Sequence, residues 1–228
     1  PSRIAREEAD RLYQAINETR ISAPPTSCIA PIGEELLLKG LGKEVEADFY
    51  AAATRPPSVY RGNPFQVEVG IAFGKPGSTM EVDEKGRIVP VGNGSRKRST
   101  DAAADFLGAA DEPVRLLRFA NRVPLLYQQS ACAVTKAVTQ VPWKNYGLQH
   151  PRGGLPIGPV VLFVHIASVW VPFTSESKEA VAAYPEILKE LKLGLQECGR
   201  KLGSHIRRGR KVAEEFKKRT YIDKYIPH

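Results

Sequence analysis

The chain has 228 residues, 42% hydrophobic and 25% charged, a net charge of +8 and a pI near 9.4. That length suits one or two domains with a real core, and the composition excludes disordered and fibrous classes. Three isolated cysteines (Cys28, Cys132, Cys198) offer neither a disulfide framework nor metal spacing, which points to a reducing intracellular compartment. No apolar run reaches the roughly 18 residues that a membrane span needs, and no signal peptide is expected.

Residues 3–20 are expected to be helical, with Ile4, Leu12 and Ile16 on one stripe and Glu7, Glu8 and Asp10 suiting a helix start. Ala23-Pro-Pro-Thr-Ser27 breaks that helix. A second short helix runs from Pro31 to Gly40, and Glu44 to Ala53 offers a third. Residues 1–53 thus read as a small all-helical unit with too little apolar surface to stand alone. At Thr54-Arg-Pro-Pro-Ser58 the character changes, and the domain boundary is placed there, with 54–228 as the second domain.

Phe65 to Phe73 alternates strictly, the pattern of a half-buried strand. Lys75 to Pro113 reads as a long mobile loop, with a hairpin at Met80–Val89 turning at Glu84-Lys-Gly86. Its basic Ser95-Arg-Lys-Arg-Ser99 reads as a solvated loop tip, with DNA contact as the other option. Val114–Val123 is a strand, Ser130–Val141 a helix with Ser130 as its cap, and Pro142–Gly154 a loop.

Val160 to Val171 is an almost unbroken apolar run between Pro159 and Pro172, as in a strand buried on both faces. Beyond it, Tyr184, Ile187, Leu188, Leu191, Leu195, Cys198 and Leu202 form one stripe of a long helix. Gly203 to Gly209 interrupts that helix, and Arg210–Tyr221 resumes it. The second domain therefore reads as an α+β sandwich with a helical tail. Lys178 is expected in or just before the first helical turn, where the dipole disfavours a cation. Two readings stand for it: a phosphate-binding corner of backbone N–H groups and lysine, or a solvated lysine beside a Thr/Ser cap. His165, mid-strand and without a second ligand at metal spacing, reads as a satisfied core or interface histidine. Ser175 and Ser177 read as caps, and Arg122 as a weaker interface candidate. Charge rises along the chain, from −2 over residues 1–58 to +4 over 59–185 and +6 over 186–228, which suggests a polyanionic partner.

Five ordered stretches together resemble the B subunit of type IIB DNA topoisomerase VI. They are Thr54-Arg-Pro-Pro-Ser-Val-Tyr-Arg-Gly62, Arg118-Phe-Ala-Asn-Arg-Val-Pro-Leu-Leu-Tyr127, Trp143-Lys-Asn-Tyr146, Trp170-Val-Pro-Phe-Thr-Ser-Glu-Ser-Lys-Glu179 and Leu195-Gln-Glu-Cys-Gly-Arg-Lys-Leu202. The resemblance implies that residues 1–53 are a helix–two-turns–helix unit. It makes 54–228 a transducer domain of ribosomal-protein-S5-like α+β fold, with C-terminal helices as a stalk toward the A subunit. It implies that Lys178 is the switch lysine that contacts the γ-phosphate of ATP. It implies that Trp143, Lys144 and Tyr146 form the motif associated with DNA engagement, lysine neutralising phosphate while the aromatics brace the loop or pack on sugar.

ATP and Mg²⁺ would be bound mainly by an ATPase domain upstream of Pro1, since the chain reads as a piece excised from something longer. The DNA-cleaving tyrosine and its metal would belong to the A subunit, leaving this piece with no catalytic residue and no metal of its own. The implied assembly is an A2B2 heterotetramer on double-stranded DNA, in the cytoplasm or nucleoid (the nucleus in a eukaryote), and not on a membrane. The rival expectation is a non-enzymatic nucleic-acid-binding module with an S5-like fold.

Overall fold

The structure, a computed structural model, describes residues 5–19, 25–74, 80–82, 88–90 and 112–225. It is built on a mixed sheet of six strands: β1 (Phe49–Thr54), β2 (Ser58–Tyr60), β3 (Asn63–Phe73), β6 (Arg115–Ala120), β7 (Val123–Pro124) and β8 (Val160–Ser168). Their order is β1-β3-β8-β6-β7, with β2 also on β3. Strands β6 and β8 are parallel; every other pairing in this sheet is antiparallel. Residues Met80–Val82 (β4) and Ile88–Pro90 (β5) pair as a separate antiparallel ribbon, in agreement with the expected hairpin. Its turn, and the Ser95–Ser99 basic segment, lie outside the described residues.

β3 and β8 form the middle of the sheet, paired from Phe65↔Ser168 to Phe73↔Val160. The β8 run is buried on both faces as its apolar sequence requires, although it stops at Ser168 and leaves Val169 and Trp170 exposed. β3 departs from the half-buried expectation, because its second face is covered as well. Helix α2 (Glu34–Glu44) lies there, with Leu37 and Leu41 packed over Ala52 and Phe163. The residue beneath them is Gly70, where an added Cβ would sit 2.3 Å from Leu37 Cδ2. On the opposite face lie α3 (Ala133–Gln140) and α4 (Pro185–Tyr225). Ile187, Leu191, Leu195, Cys198 and Leu202 are buried there at 0–1% exposure, so the expected stripe is the one that docks.

Further expectations fail. Residues Glu44–Ala53 do not make a third helix: Phe49–Thr54 is an edge strand, and it crosses the boundary expected at residues 53/54. Its Phe-Tyr-Ala-Ala-Ala run carries no strand periodicity, and pairing with β3 overrides the alanines' helical preference. α4 runs unbroken through Gly203–Gly209. Ser130 caps no helix; it lies in a 3₁₀ turn (Gln129–Ala131), and α3 begins after Cys132 without a side-chain cap. Helix α1 (Arg6–Glu18) forms as expected, with all of its residues exposed, Leu12 and Ile16 included.

Candidate functional site

The residues singled out in the sequence fall in two places. Lys178 sits on the loop between β8 and α4, not at a helix start: α4 begins only at Pro185, a residue suited to a first helical position. The dipole argument for Lys178 therefore falls away. Its surroundings are a closed loop with a fixed base. Phe173 bridges Val181, the Thr174 N–H donates to Ala180 O at 2.8 Å, and the Ala182 N–H donates to Pro172 O at 2.7 Å. Ala180 and Val181 are fully buried, and Val181 O accepts from the N–H of Ala133 at the head of α3. From this base the tip Ser175–Lys178 stands in solvent. Ser175 and Ser177 hydroxyls pair at 2.7 Å, and the Lys178 N–H closes a turn on Ser175 O at 3.2 Å. Lys178 itself has φ +53, a left-handed conformation that a side-chain-bearing residue rarely adopts. Among the described residues no carboxylate pairs with its ammonium.

Trp143, Lys144 and Tyr146 belong to one 3₁₀ turn (Trp143–Tyr146) closed by Gly147 at φ +93. Their side chains do different things. Trp143 is wholly buried and its indole N–H donates to Val138 O at 2.8 Å. Tyr146 meets Trp143 edge-on at 6.1 Å and lies on α4, where a Cβ at Gly199 would come within 2.5 Å of its ring. Only Lys144 and Asn145 project into solvent. Of the two roles open to the aromatics, bracing fits the burial of Trp143 and the seating of the half-buried Tyr146 on α4. The turn meets α4 at Gly199, about 20 Å along the helix from Pro185 at 1.5 Å per residue. The lysine tip and the Trp143–Tyr146 turn are therefore separate surfaces on one frame.

A third cluster was not anticipated beyond His165 itself. His165 is fully buried, as a satisfied core histidine should be, and its partner is the equally buried Glu68, at 2.8 Å from Nδ1. The Arg122 N–H donates to His165 Nε2 at 3.0 Å, which leaves the ring proton on Nδ1 facing the carboxylate. Glu68 also accepts the N–H groups of Ile32 (2.8 Å) and Gly33 (2.6 Å) and the hydroxyl of Thr54 (3.1 Å). Burial pushes the Glu68 carboxyl up, but hydrogen bonds from His165, Ile32 and Gly33 outweigh it and hold the group below the usual range. The Arg122 guanidinium donates to Pro31 O at 3.2 Å. The segment leading into α2 is thus pinned to three strands and a turn. The signal in the sequence was faint, because Glu68 and His165 face each other only through the β3–β8 register.

The fold and site together define an α+β domain: a mixed sheet between helices, a lysine-tipped loop, and a long projecting helix. Residues 24–218 match the family described as topoisomerase VI B subunit, transducer, and the chain belongs to that family. It is 44% identical over 227 residues to the B subunit of type 2 DNA topoisomerase 6 from Methanococcoides burtonii, covering 100% of this chain and 32% of that one. The corresponding protein of Archaeoglobus fulgidus is 42% identical over 227 residues, with the same 100% and 32% coverage. That of Natronomonas pharaonis is 45% identical over 223 residues, covering 97% of this chain and 24% of that protein. The chain spans about a third or less of these curated relatives. Among solved structures, the B-subunit of the DNA gyrase from Myxococcus xanthus is similar at a TM-score of 0.39 and 15% identity, over 73% of this chain and 38% of that one.

Proposed function

We propose that this chain is the transducer part of the B subunit of an ATP-dependent type II DNA topoisomerase, relaying nucleotide binding and hydrolysis to DNA cleavage and strand passage by an A subunit. The observation that carries the proposal is the family match over residues 24–218; it favours the relay over a free-standing nucleic-acid-binding module. In this reading ATP and Mg²⁺ are held outside the chain. Among the described residues no group of three or more His, Cys, Asp or Glu could hold a metal. What the chain offers the nucleotide is Lys178, an exposed ammonium without a carboxylate partner among the described residues, on a loop whose base is locked into the core. A γ-phosphate within its reach biases the loop, and the buried base transmits that bias to α3 and the sheet.

Lys144 meets duplex DNA as a phosphate contact, positioned by Trp143 and Tyr146. α4 is the stalk toward the A subunit in an A2B2 assembly, which works wherever the genome is. The helical unit precedes the relay, and we place its end before β1 rather than at residue 53, a placement supported by the membership of β1 in the sheet and by a family match that opens at residue 24.

The test is Lys178→Ala in the full-length protein together with its A subunit. Loss of one charge-assisted contact predicts ATP-coupled strand passage at least about tenfold slower, with duplex affinity within about twofold of wild type. Equal loss of both activities rejects the assignment of Lys178.

A further inference from the structure

The sheet ends at β1, and that edge lies at the floor of an open groove between α2 and α4. The groove holds about 520 Å³ and is lined by Phe49, Tyr50, Ala51 and Ala52 below, and by Leu38 of α2 and Arg200, Lys201, Ser204 and Arg208 of α4 at its sides. Alternate residues of an antiparallel edge strand turn their N–H and C=O groups away from the neighbouring strand. In β1 these are Tyr50, Ala52 and Thr54. The alternation is visible in their partners: the Lys201 ammonium donates to Ala52 O, and the Thr54 N–H donates to Glu34 Oε1 at 3.1 Å. Tyr50 N–H, Tyr50 C=O and Ala52 N–H have no hydrogen-bond partner among the described residues. Natural sheets guard such edges with charged side chains. Here the guard is Lys201, paired across the groove with Glu34 at 3.8 Å and along α4 with Glu197 at 3.8 Å, with the Lys201 and Glu34 side chains 42% and 46% exposed. Pairs that open to water contribute little, so this guard is easily exchanged.

We propose that the β1 edge is a docking site for an extended segment of a partner protein, added as an antiparallel strand, in which apolar and acidic residues alternate. The alternation follows from the two walls. Side chains of Tyr50 and Ala52 point to the α2 face, where Leu37 packs on Ala52 and Leu38 flanks the groove. Phe49 and Ala51 point to the α4 face, where Arg200, Lys201 and Arg208 stand. In an antiparallel pair the partner residues that bond to Tyr50 and Ala52 put their side chains on the α2 face, so these are the apolar ones. The residues between them meet the cations of α4 and are acidic. An incoming N–H takes Ala52 O from Lys201, and an incoming carboxylate takes Lys201 from Glu34. A nucleic-acid backbone fits the same groove poorly, because a phosphodiester has no donors for the carbonyls of Tyr50 and Ala52 and would meet the Glu34 carboxylate.

The probe is acetyl-Val-Glu-Val-Glu-Val-Glu-amide, titrated into the full-length protein that carries this sequence, with hydrogen exchange read over residues 47–55. The expected result is slowed exchange in β1. Binding should weaken about tenfold or more in three controls: lysine in place of the glutamates, N-methylation at the valines, and the surface double variant Arg200→Glu/Arg208→Glu. The proposal is overturned if β1 exchange does not slow, or if the N-methylated probe binds as well as the parent. Slowed exchange with a duplex oligonucleotide but not with the peptide would overturn it equally, by making the groove a nucleic-acid surface.

Discussion

A carboxylate with no access to water needs a full set of donors, and Glu68 has four: His165, Ile32, Gly33 and Thr54. Replacing it with Leu leaves those donors buried and unpaired. The expected loss of stability is about 3–5 kcal/mol in urea unfolding, with the entry to α2 the first region to exchange amide hydrogens. The pH dependence has a definite sign. A carboxyl depressed in the folded state contributes stability that is complete above its ordinary value of 4.5 and is lost as the pH falls through the lower folded value. Melting temperature should fall in that acid window for the wild type and fall less for Glu68→Gln. The Trp143–Tyr146 turn divides its labour just as clearly. Trp143→Ala should cost about 3–5 kcal/mol, whereas Lys144→Ala should change stability by no more than about 0.5 kcal/mol while weakening duplex binding and flattening its salt dependence. A stability loss in Lys144→Ala as large as that in Trp143→Ala would show the lysine to be part of the core.

At the scale of elements, legibility tracks how much of each signal is local. β8 is readable because a strand covered on both faces is mostly apolar, and Val160–Ser168 is so except for His165 and Ser168. The docking stripe of α4 is readable from period alone. β1 is not, since its strand identity depends on pairing with β3 rather than on its own alternation. Lys178 is expected too close to the helix because the Ser and Thr residues of its loop resemble caps, while the better start signal, Pro185, lies further on. Its role as a projecting cation does not depend on that error. The break expected at Gly203 mistakes packing for punctuation. Gly199 and Gly203 admit Tyr146 to the helix surface, whereas Gly209 has no atom within 4 Å of an added Cβ. Substitution should therefore split by sign. Gly209→Ala should stabilise by up to about 1 kcal/mol through helix propensity. Gly199→Ala should destabilise, as a ring displaced from a packed site costs about 1–3 kcal/mol, and should disturb the Lys144 turn. Thermal melts of the pair decide it, and the same sign in both would mean that Tyr146 yields freely.

Over the whole molecule, the parts form a frame that carries an exposed loop and a long helix. The buried Ala180 and Val181, bonded to the head of α3, fix the base of the Lys178 loop, and α4 is a rod of about 60 Å at 1.5 Å per residue over Pro185–Tyr225 that starts on the sheet. The rod's first half buries one stripe, Ile187 to Leu202, against the sheet, while Arg207, Arg208 and Val212 are exposed. Gly194, where an added Cβ would touch Val69 and Val67, and Gly199 and Gly203, which receive Tyr146, each weaken the helix by about 1 kcal/mol relative to alanine. The contacts that need those glycines are also what hold the helix unbroken across them. The rod's stiffness is therefore lent to it by its bearing: unseated from the sheet, it yields first at these glycines.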